Sequence, residues 1–510
     1  MASSSKKTGL GDFVKIGKEL YSSSEEHPTP VLAKITGQIP DWFEGILVRV
    51  GPGKFEWGKS SYNHWFDGQA LMHKFDVSKG TVKYSSEFLH SQSYDKSKKY
   101  GRVATPGFAT WAPPDPCKNI FQRFFLYFLP PAMTDNCNIN MVKIKEEIFA
   151  STESPYIYHV DPSNLGTMEE HDLKSTLSGP RSLLAHPHND DEGYVYNVSA
   201  NWLKFRYDIF KIPPNANATD PFSGATIIAT VPFSFFGPAY FHSFGMSENF
   251  FIIIENPLVM KALWKMVTMN FLKNSYLDVL KWKPELKSRM HLINRHTGKL
   301  EKTFQVDKFF AFHHVNAYEE SGQIVVDVCG YPDASVIEAF YLSKLRNGLK
   351  GVDYTIPILR RYRLPIPSTG QVTKEPETLP KLVNGEQFEV ICEGFELPRI
   401  NYSYNTKKYK FTYGTAFRDK NFFLENIAKV NVDTKEVVSW IEEDSYPSEP
   451  VFVPAPDAKE EDDGIVLSAV VGVLGKPSFL LFLDGKTFTE VARAVVPCKL
   501  ALTFHGAYLH

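Results

Sequence analysis

The apolar residues of this chain fall mainly in short runs that are rich in Val, Ile, Phe and Tyr. Examples are GILVRVG, FFIIIEN, GQIVVDVCG, FEVICEG, KYKFTYG, GIVLSAVVGV and FLLFLDG. Runs of this composition, bounded by Gly, Asn or Asp, are typical of β-strands. Polar clusters that contain glycine, such as VSKGT, DDEGY, EESGQ and EDDGI, lie between the runs and are typical of hairpin turns. The pattern therefore predicts a mostly β chain of antiparallel sheets.

The number of strands and the scarcity of helical patterns narrow the fold class further. Many short strands over 510 residues, without alternating helices, favour a β-propeller or a large sandwich over layered α/β folds. We favour the propeller, although no clean repeat marks its blades and the pattern does not give their number. A proline-rich stretch from 353 to 387 interrupts the strands, but similar strands resume after it. We therefore expect residues 1–510 to form a single domain.

Two apolar segments differ from the strand pattern. Residues 124–133 read FFLYFLPPAM and are more aromatic than an ordinary surface loop. Residues 258–274 fit an amphipathic helix on which Lys261, Lys265 and Thr268 form a narrow polar stripe. Both segments could pack on the body of the protein or contact a membrane surface, and hydrophobic patterning alone does not separate the two. No stretch approaches the roughly twenty apolar residues of a spanning helix.

Composition and charge exclude one class of partner and indicate a compartment. With 56 Lys and Arg against 58 Asp and Glu, the formal charge of -2 gives no electrostatic basis for binding nucleic acid. The five cysteines are odd in number and include no C-x-x-C pair, which argues against a disulfide framework or a thiolate zinc site. The amino-terminal MASSSKKTGL lacks the apolar core of a secretory signal. We therefore expect a cytoplasmic protein.

Histidines are the strongest candidates for chemistry in this sequence. Four of them follow an apolar or aromatic residue, and these are His186, His242, either His313 or His314, and His505. His186 also belongs to a His-x-His pair with His188, but such a pair more often makes ordinary hydrogen bonds than binds a metal. Imidazoles at the inner ends of propeller strands would converge on the axis, where neutral nitrogen ligands can hold a divalent transition metal.

Carboxylates are expected behind such a cluster, because four neutral ligands leave the charge of the ion uncompensated. They would accept hydrogen bonds from the ring N–H groups that face away from the ion. Three glutamates have apolar or constrained neighbours, and these are Glu153, Glu396 and Glu449. Taken alone, each is more often an exposed surface carboxylate, since glutamate is seldom buried.

Longer motifs along nearly the whole chain resemble those of one known family. They include VRVGPGKFEWG, YNHWFDGQALMHKF, PDPCKNIF, MTDN, STES, AHPH, HSFGMSENF, FHHVNAYEE, ELPRINY, DSYPSEPVFVPAPDAKEEDDGIVLS and TFHG. In these motifs the sequence resembles the carotenoid cleavage oxygenase family, in its animal branch, which also contains the visual-cycle retinoid isomerohydrolase. The resemblance implies a seven-bladed β-propeller with a helical and loop cap over an axial Fe²⁺ site.

The resemblance also implies a role for each candidate side chain. The iron ligands would be His186, His242, His313 and His505, with Glu153, Glu396 and Glu449 hydrogen-bonded behind them. His313 is preferred over His314 because the family keeps this histidine directly after a phenylalanine, here Phe312. His188 would then be a neighbour of the site and not a ligand.

The activity implied by the resemblance is oxidative cleavage of a carotenoid or apocarotenoid double bond into two carbonyl products. Four imidazoles on octahedral iron leave two adjacent positions, one of them for dioxygen, and no organic cofactor is needed. Phe108, Trp111 and Tyr240 lie close to family motifs and are candidates for lining the substrate tunnel, although core packing explains them equally well. Aromatic faces could also stabilise positive charge that develops on the polyene.

A membrane surface is a further expected partner, because a carotenoid is almost insoluble in water. The resemblance places a membrane-docking segment around 119–135, near Cys117, which could be acylated, and the amphipathic segment around 258–274 would add to it. Two other functions stay open: a retinoid isomerohydrolase acting on retinyl esters, and a non-catalytic binding propeller braced by a metal such as zinc. Pro106 and Gly107 depart from both branches of the family, which leaves the tunnel shape open, as does the oligomeric state.

Overall fold

The computed structural model describes residues 10–113, 119, 121, 133–179, 181–214, 220–260, 263–367, 376–383, 385–417 and 425–510. Within these residues, seven sheets of four to six strands form the blades of a β-propeller. The strand at one edge of each sheet lies near the axis, where it adjoins the inner strands of neighbouring blades. The prediction of a mostly β, seven-bladed propeller is confirmed.

Two blades close the ring by joining the beginning of the chain to its end. The strands of blade 1 are, from outside to inside, His27–Leu32, Thr81–Phe88, Gln69–Ser78, Gly45–Lys54 and His505–Leu509. The strands of blade 7 are Lys34–Gly37, Glu490–Val495, Phe479–Asp484, Gly464–Gly472 and Ser445–Pro447, with Val451–Pro454 also paired to Gly464–Gly472. Hydrogen bonds between remote segments therefore hold the propeller shut.

The other blades are each built mainly from consecutive strands. Blade 2 contains, from outside to inside, Thr167–Asp172, Tyr156–Val160, Glu147–Ser151 and Asn140–Ile144. Blade 3 contains, from inside to outside, His188–Asn189, Val195–Asn201, Arg206–Ile212 and Thr226–Pro232. In the same direction, blade 4 contains Gly245–Met246, Phe250–Glu255, Ser288–Asn294, Leu300–Val306 and Glu377–Thr378.

Blades 5 and 6 complete the ring, and two small ribbons lie beside it. Blade 5 contains, from inside to outside, Phe310–Glu320, Gln323–Tyr331, Ile358–Pro365 and Glu389–Glu393, and blade 6 contains Phe395–Arg399, Phe411–Ala416, Asn426–Asn431 and Val437–Trp440. The ribbons pair Glu56–Trp57 with Ser60–Ser61 and Leu258–Met260 with Leu280–Trp282. Pairing is antiparallel throughout, except between Leu300–Val306 and Glu377–Thr378.

Packing of blade against blade explains why the apolar runs are continuous instead of alternating. In the middle strands Phe250–Glu255 and Gln323–Tyr331, side chains on both faces of the sheet are buried. A strand that is covered on both faces reads as an unbroken apolar run. The rigid ring that results fixes the inner strand of every blade relative to the axis.

Short helices lie in the insertions between the strands of this ring. The described α-helices are Leu10–Leu20, Gln92–Tyr100, Leu263–Leu272, Tyr276–Val279, Ser335–Ala339 and Leu342–Leu345, and the 3-10 helices are Trp65–Asp67, Leu173–Ser175 and Tyr402–Tyr404. Trp65, Tyr276 and Phe340, which lie in or beside these helices, line a cavity next to the axis. The insertions therefore supply the predicted cap. That residues 1–510 form a single domain stays a prediction.

The structure describes most of one predicted apolar segment and little of the other. The segment predicted around 119–135 lies almost entirely outside the described residues, as does Cys117. The helix predicted from residue 258 is wrong at its beginning, because Leu258–Met260 pairs as a strand with Leu280–Trp282. The helix begins at Leu263 and ends at Leu272, and Lys261 is not described. Within the described residues, none of the helices has both the length and the apolar character needed to cross a bilayer.

Candidate metal centre

Four histidines from four blades meet on the axis of the propeller. His313 lies on the inner strand of blade 5, and His505 is the first residue of the inner strand of blade 1. His186 and His242 shortly precede the inner strands of blades 3 and 4. One nitrogen from each of the four rings lies within 4.8 Å of the others, and all four side chains are buried or half-buried. The fold thus brings together residues that are up to 319 positions apart in sequence.

The distances between these nitrogens fit a bound cation. Nε2 of His186 lies 2.9 Å from Nε2 of His242, and Nε2 of His313 lies 3.3 Å from Nε2 of His505. With metal–nitrogen bonds of about 2.1 Å, two imidazoles at right angles on one ion would have their nitrogens about 3.0 Å apart. Four lone pairs directed at one point repel one another unless a cation lies between them. The site is therefore suited to a divalent transition metal.

Three glutamates, two of them buried and one half-buried, fix the orientation of three of these rings. Nδ1 of His313 lies 2.6 Å from an oxygen of Glu396, and Nδ1 of His505 lies 2.7 Å from an oxygen of Glu449. Nδ1 of His242 makes the corresponding hydrogen bond to Glu153. Because each carboxylate accepts a hydrogen bond from an Nδ1–H group, the lone pair of Nε2 is left to face the axis. The glutamates come from blades 2, 6 and 7, so every blade supplies one residue to the centre.

Burial and the proximity of other rings favour the neutral form of two of the imidazoles, those of His186 and His505. The pKa of His186 and that of His505 lie well below the ordinary value, first because the rings are buried and then because other imidazoles adjoin them. Burial raises the pKa of Glu449, against the opposing effects of Arg399 and Arg49. Neutral imidazole is the form that binds a metal, so this electrostatic environment favours ligation over protonation.

The neighbouring histidines are turned away from the cluster. Nδ1 of His314 lies 2.9 Å from Oγ of Ser243, and Nε2 of His188 lies 3.0 Å from the carbonyl oxygen of Phe244. His313 and His314 are consecutive residues of a strand whose pairing is irregular at this point. The hydrogen bond to Ser243 holds His314 away from the axis, so the structure brings only one of the two to the cluster.

An apolar cavity leads to the histidine cluster, with His242, His313 and His505 in its wall. Phe108 and Tyr240, two of the predicted substrate-binding residues, also line it. Trp111 is not among the described residues of the cavity wall; the Nζ of Lys273 lies 5.7 Å from its ring. Its expected place in the tunnel stays a prediction.

Several residues of the centre were not found from the sequence. The missed aromatic residues of the cavity wall include Phe66, Phe312, Tyr331, Phe340 and Phe504. Phe312 and Phe504 directly precede His313 and His505, and this shared position could have identified them. The arginines Arg49 and Arg399, which flank Glu449, were also missed, although they lie in the motifs VRVGPG and ELPRINY.

Comparisons with known proteins agree with this architecture. A family model described as "Retinal pigment epithelial membrane protein" matches residues 20–510. The chain is 38% identical to a beta,beta-carotene 15,15'-dioxygenase of Gallus gallus, over 96% of this chain and 97% of that one. It is 36% identical to a protein of Mustela putorius furo named "Carotenoid-cleaving dioxygenase, mitochondrial", over 96% of each chain. A solved structure of cobalt-substituted Synechocystis ACO shares the fold, with a TM-score of 0.79 at 21% identity, over 98% of this chain and 99% of that one.

Proposed function

This chain belongs to the retinal pigment epithelial membrane protein family, and from that membership we propose that it cleaves a double bond of a carotenoid or apocarotenoid with dioxygen. The products would be two aldehydes or ketones. The observation that carries the proposal is the convergence of four Nε2 atoms at the wall of an aromatic cavity. A polyene is apolar and long, and a cavity lined by rings is the surface that such a molecule fits.

Fe²⁺ is the ion that we propose for the centre, held by His186, His242, His313 and His505. Bound ferrous iron supplies the redox chemistry that allows dioxygen to react with a double bond. Zinc in structural sites prefers a closed tetrahedral set of four ligands, and it has no redox chemistry. The cavity that reaches three of the four histidines favours an open site over a closed one.

The cavity wall positions the substrate, since a conjugated chain offers many similar double bonds. Phe312 and Phe504 lie beside the ligands that follow them in sequence, and the ring of Tyr240 lies next to that of Phe108 in the cavity wall, at a centroid distance of 6.1 Å. The Tyr240 hydroxyl donates a hydrogen bond of 2.9 Å to Glu153. This contact fixes the ring in the cavity wall, where aromatic rings would stabilise positive charge on the polyene.

Product analysis under isotopically labelled dioxygen tests the function. Protein reconstituted anaerobically with Fe²⁺ should convert at least one carotenoid of a panel into two carbonyl products that both carry label. His313→Ala should abolish conversion, whereas the neighbouring His314→Ala is the matched control that should retain it. Release of a retinoid alcohol from a retinyl ester would instead support an isomerohydrolase. Zinc in the purified protein, with no turnover after iron loading, would support a non-catalytic propeller.

We also propose that the protein contacts a membrane surface around the mouth of the cavity. Exposed apolar side chains lie next to cavity-lining residues: Leu203 follows Trp202, and Phe235 and Phe236 precede Pro238. Phe235 is 98% exposed. Phe271 and Leu272, at the end of the helix Leu263–Leu272, are also exposed. Grouped aromatic exposure of this kind is costly in water and favourable at a lipid interface.

Vesicle binding tests the membrane proposal. The double substitution of Phe235 and Phe236 by Asp should reduce co-sedimentation with phosphatidylcholine vesicles, because two charges would enter the interface. Ile441→Asp, which changes an exposed apolar residue of the connection after blade 6, is the matched control and should bind normally. Equal binding of both variants would contradict the proposal. The expected cytoplasmic location stays a prediction.

A further inference from the structure

One carboxylate in the cavity wall holds a short turn that projects Phe108 toward the substrate space. Oδ1 of Asp67 accepts a hydrogen bond of 3.1 Å from the amide of Ala109, and Oδ2 accepts one of 2.5 Å from the Thr110 hydroxyl. The turn is also closed on itself, since the amide of Gly107 donates to the carbonyl of Thr110 at 2.8 Å. Asp67 is 2% exposed and lines the cavity together with Gly107 and Phe108.

Gly107 is what allows the carboxylate to approach this turn. A Cβ atom added to Gly107 would lie 2.5 Å from Oδ1 and 2.7 Å from Cγ of Asp67, closer than side-chain carbons come to other atoms. The backbone of Gly107 does not have a positive φ, so alanine would be tolerated there but for this contact. Gly107 is also one of the two positions at which the sequence was expected to depart from both branches of the family. The close approach is a specific feature of this cavity wall.

Contacts with two other segments hold Phe108 in place. Its ring centroid lies 5.6 Å from that of His64 and 5.9 Å from that of Phe66, in the segment that also carries Asp67. Its carbonyl accepts a hydrogen bond of 2.8 Å from the amide of Leu277, in the helix Tyr276–Val279. A shift of the turn would move the ring along the cavity, while the histidine cluster stays fixed by the propeller.

We propose that Asp67 and Gly107 are a positioning pair that fixes Phe108 and thereby selects which double bond of the substrate lies beside the histidines. This inference rests on the proposed cleavage of a polyene. A polyene that is blocked one bond earlier or later by the Phe108 ring presents a different double bond for cleavage. Asp67 acts through Phe108 and does not itself take part in the reaction.

The test is the ratio of products that the iron-loaded enzyme forms from an asymmetric apocarotenoid. Asp67→Asn leaves one donor of the turn without a good acceptor, and Gly107→Ala displaces the turn by steric contact. Each should change the product ratio by about three- to tenfold, the effect of one lost hydrogen bond. Burial raises the pKa of Asp67 to about 6, so the wild-type group is an anion in an assay near about pH 8.

Two controls separate positioning from general damage. Asp135→Asn changes another buried carboxylate, one that accepts from the amide and hydroxyl of Ser93 and lies outside the cavity wall. It should lower stability without changing the product ratio. In a Phe108→Ala background, Asp67→Asn and Gly107→Ala should have no further effect on the ratio, since the ring through which they act is gone.

Three results would overturn the inference. They are a wild-type product ratio in both variants, an undiminished effect in the Phe108→Ala background, and an equal change in Asp135→Asn. If the wild-type enzyme cleaves no carotenoid at all, the proposed function fails instead. The positioning pair is then tested by quenching of tryptophan fluorescence when the metal-free protein binds the apocarotenoid, where unchanged affinity in both variants would overturn it.

Discussion

Two of the three glutamates behind the histidines, Glu449 and Glu153, each accept a hydrogen bond from a histidine ring but lie in very different surroundings. The Glu449 side chain is 2% exposed and lies between two arginines, with Nε of Arg399 at 3.0 Å and Nη1 of Arg49 at 3.8 Å. The Glu153 side chain is 24% exposed, and within the described residues it has no lysine or arginine partner. Its second hydrogen bond comes from Tyr240 in the cavity wall. One glutamate is thus part of the scaffold, and the other is part of the cavity.

The difference follows from where each blade lies in the ring. Arg49, on a strand of blade 1, also donates to the carbonyl groups of Glu449 and Phe504, at 2.9 and 3.0 Å. It thereby joins blade 7 to blade 1 where the propeller closes. Glu153 lies in blade 2, away from this closure. A carboxylate that joins blades and also orients a ligand cannot be removed without loss of both, whereas Glu153 can be changed with the scaffold intact.

The largest effect should come from Glu449→Gln, which removes the charge that faces Arg49. Arg49 is fully buried, and a buried ion left without its partner costs about 3 kcal/mol or more. The free energy of unfolding of the metal-free protein, measured with urea, should fall by about that amount.

Glu153→Gln is the matched variant and should cost about 1 kcal/mol or less, because no arginine or lysine of the described residues pairs with it and water reaches its side chain. Equal losses of stability in Glu449→Gln and Glu153→Gln would show that the scaffold and cavity roles are not divided in this way.

The substitutions of Glu153 and Glu449 should weaken metal binding to a similar extent, although they should differ in their effect on stability. Each glutamate accepts from Nδ1 of one histidine, and loss of such a partner typically weakens metal binding about 10- to 100-fold. Competition with a chelator should therefore give similar losses for Glu153→Gln and Glu449→Gln. Wild-type affinity in Glu153→Gln would mean that Glu153 does not orient His242.

Removal of the Tyr240 hydroxyl should have a smaller effect, confined to the cavity side of the centre around Glu153. Tyr240→Phe deletes one hydrogen bond to Glu153 and keeps the ring, so the free energy of unfolding should fall by about 1 kcal/mol. The spectrum of the Co²⁺-substituted protein should shift, since Glu153 then binds His242 more strongly. Phe108→Leu, which leaves Glu153 untouched, is the control that should keep the wild-type spectrum.

The sequence predicted the surroundings of Glu153 better than those of Glu449, for a physical reason. Motifs around Glu153 and Tyr240 are local, and the sequence alone makes both residues candidates. Arg49 reads as an ordinary strand arginine, because its burial arises only when its strand, Gly45–Lys54, pairs with His505–Leu509 from the end of the chain. The choice of His313 over His314 also needed the family resemblance, since the spacing of two consecutive histidines does not say which face of the strand meets the axis.

The error in the predicted helix has a similar origin. The helix expected from residue 258 fails because a short apolar run fits a strand or a helix equally well, and pairing with Leu280–Trp282 decides between them. Trp111 was a candidate for the tunnel because it lies close to family motifs, and its place there stays a prediction. Residues in a turn have no fixed periodicity, so closeness along the chain does not determine which side chains share a surface.

The smallest effect should come from Arg399, the more exposed of the two arginines beside Glu449. Arg399 is 32% exposed, so solvent screens its pair with Glu449, and Arg399→Gln should lower the free energy of unfolding by less than about 1 kcal/mol. Arg49→Gln, at the buried end of the same carboxylate, should cost at least about 3 kcal/mol. Urea unfolding of the two variants orders them directly. If Arg399→Gln proved the more damaging, the exposed arginine would be the one that holds Glu449, and the closure between blades 1 and 7 would not depend on Arg49.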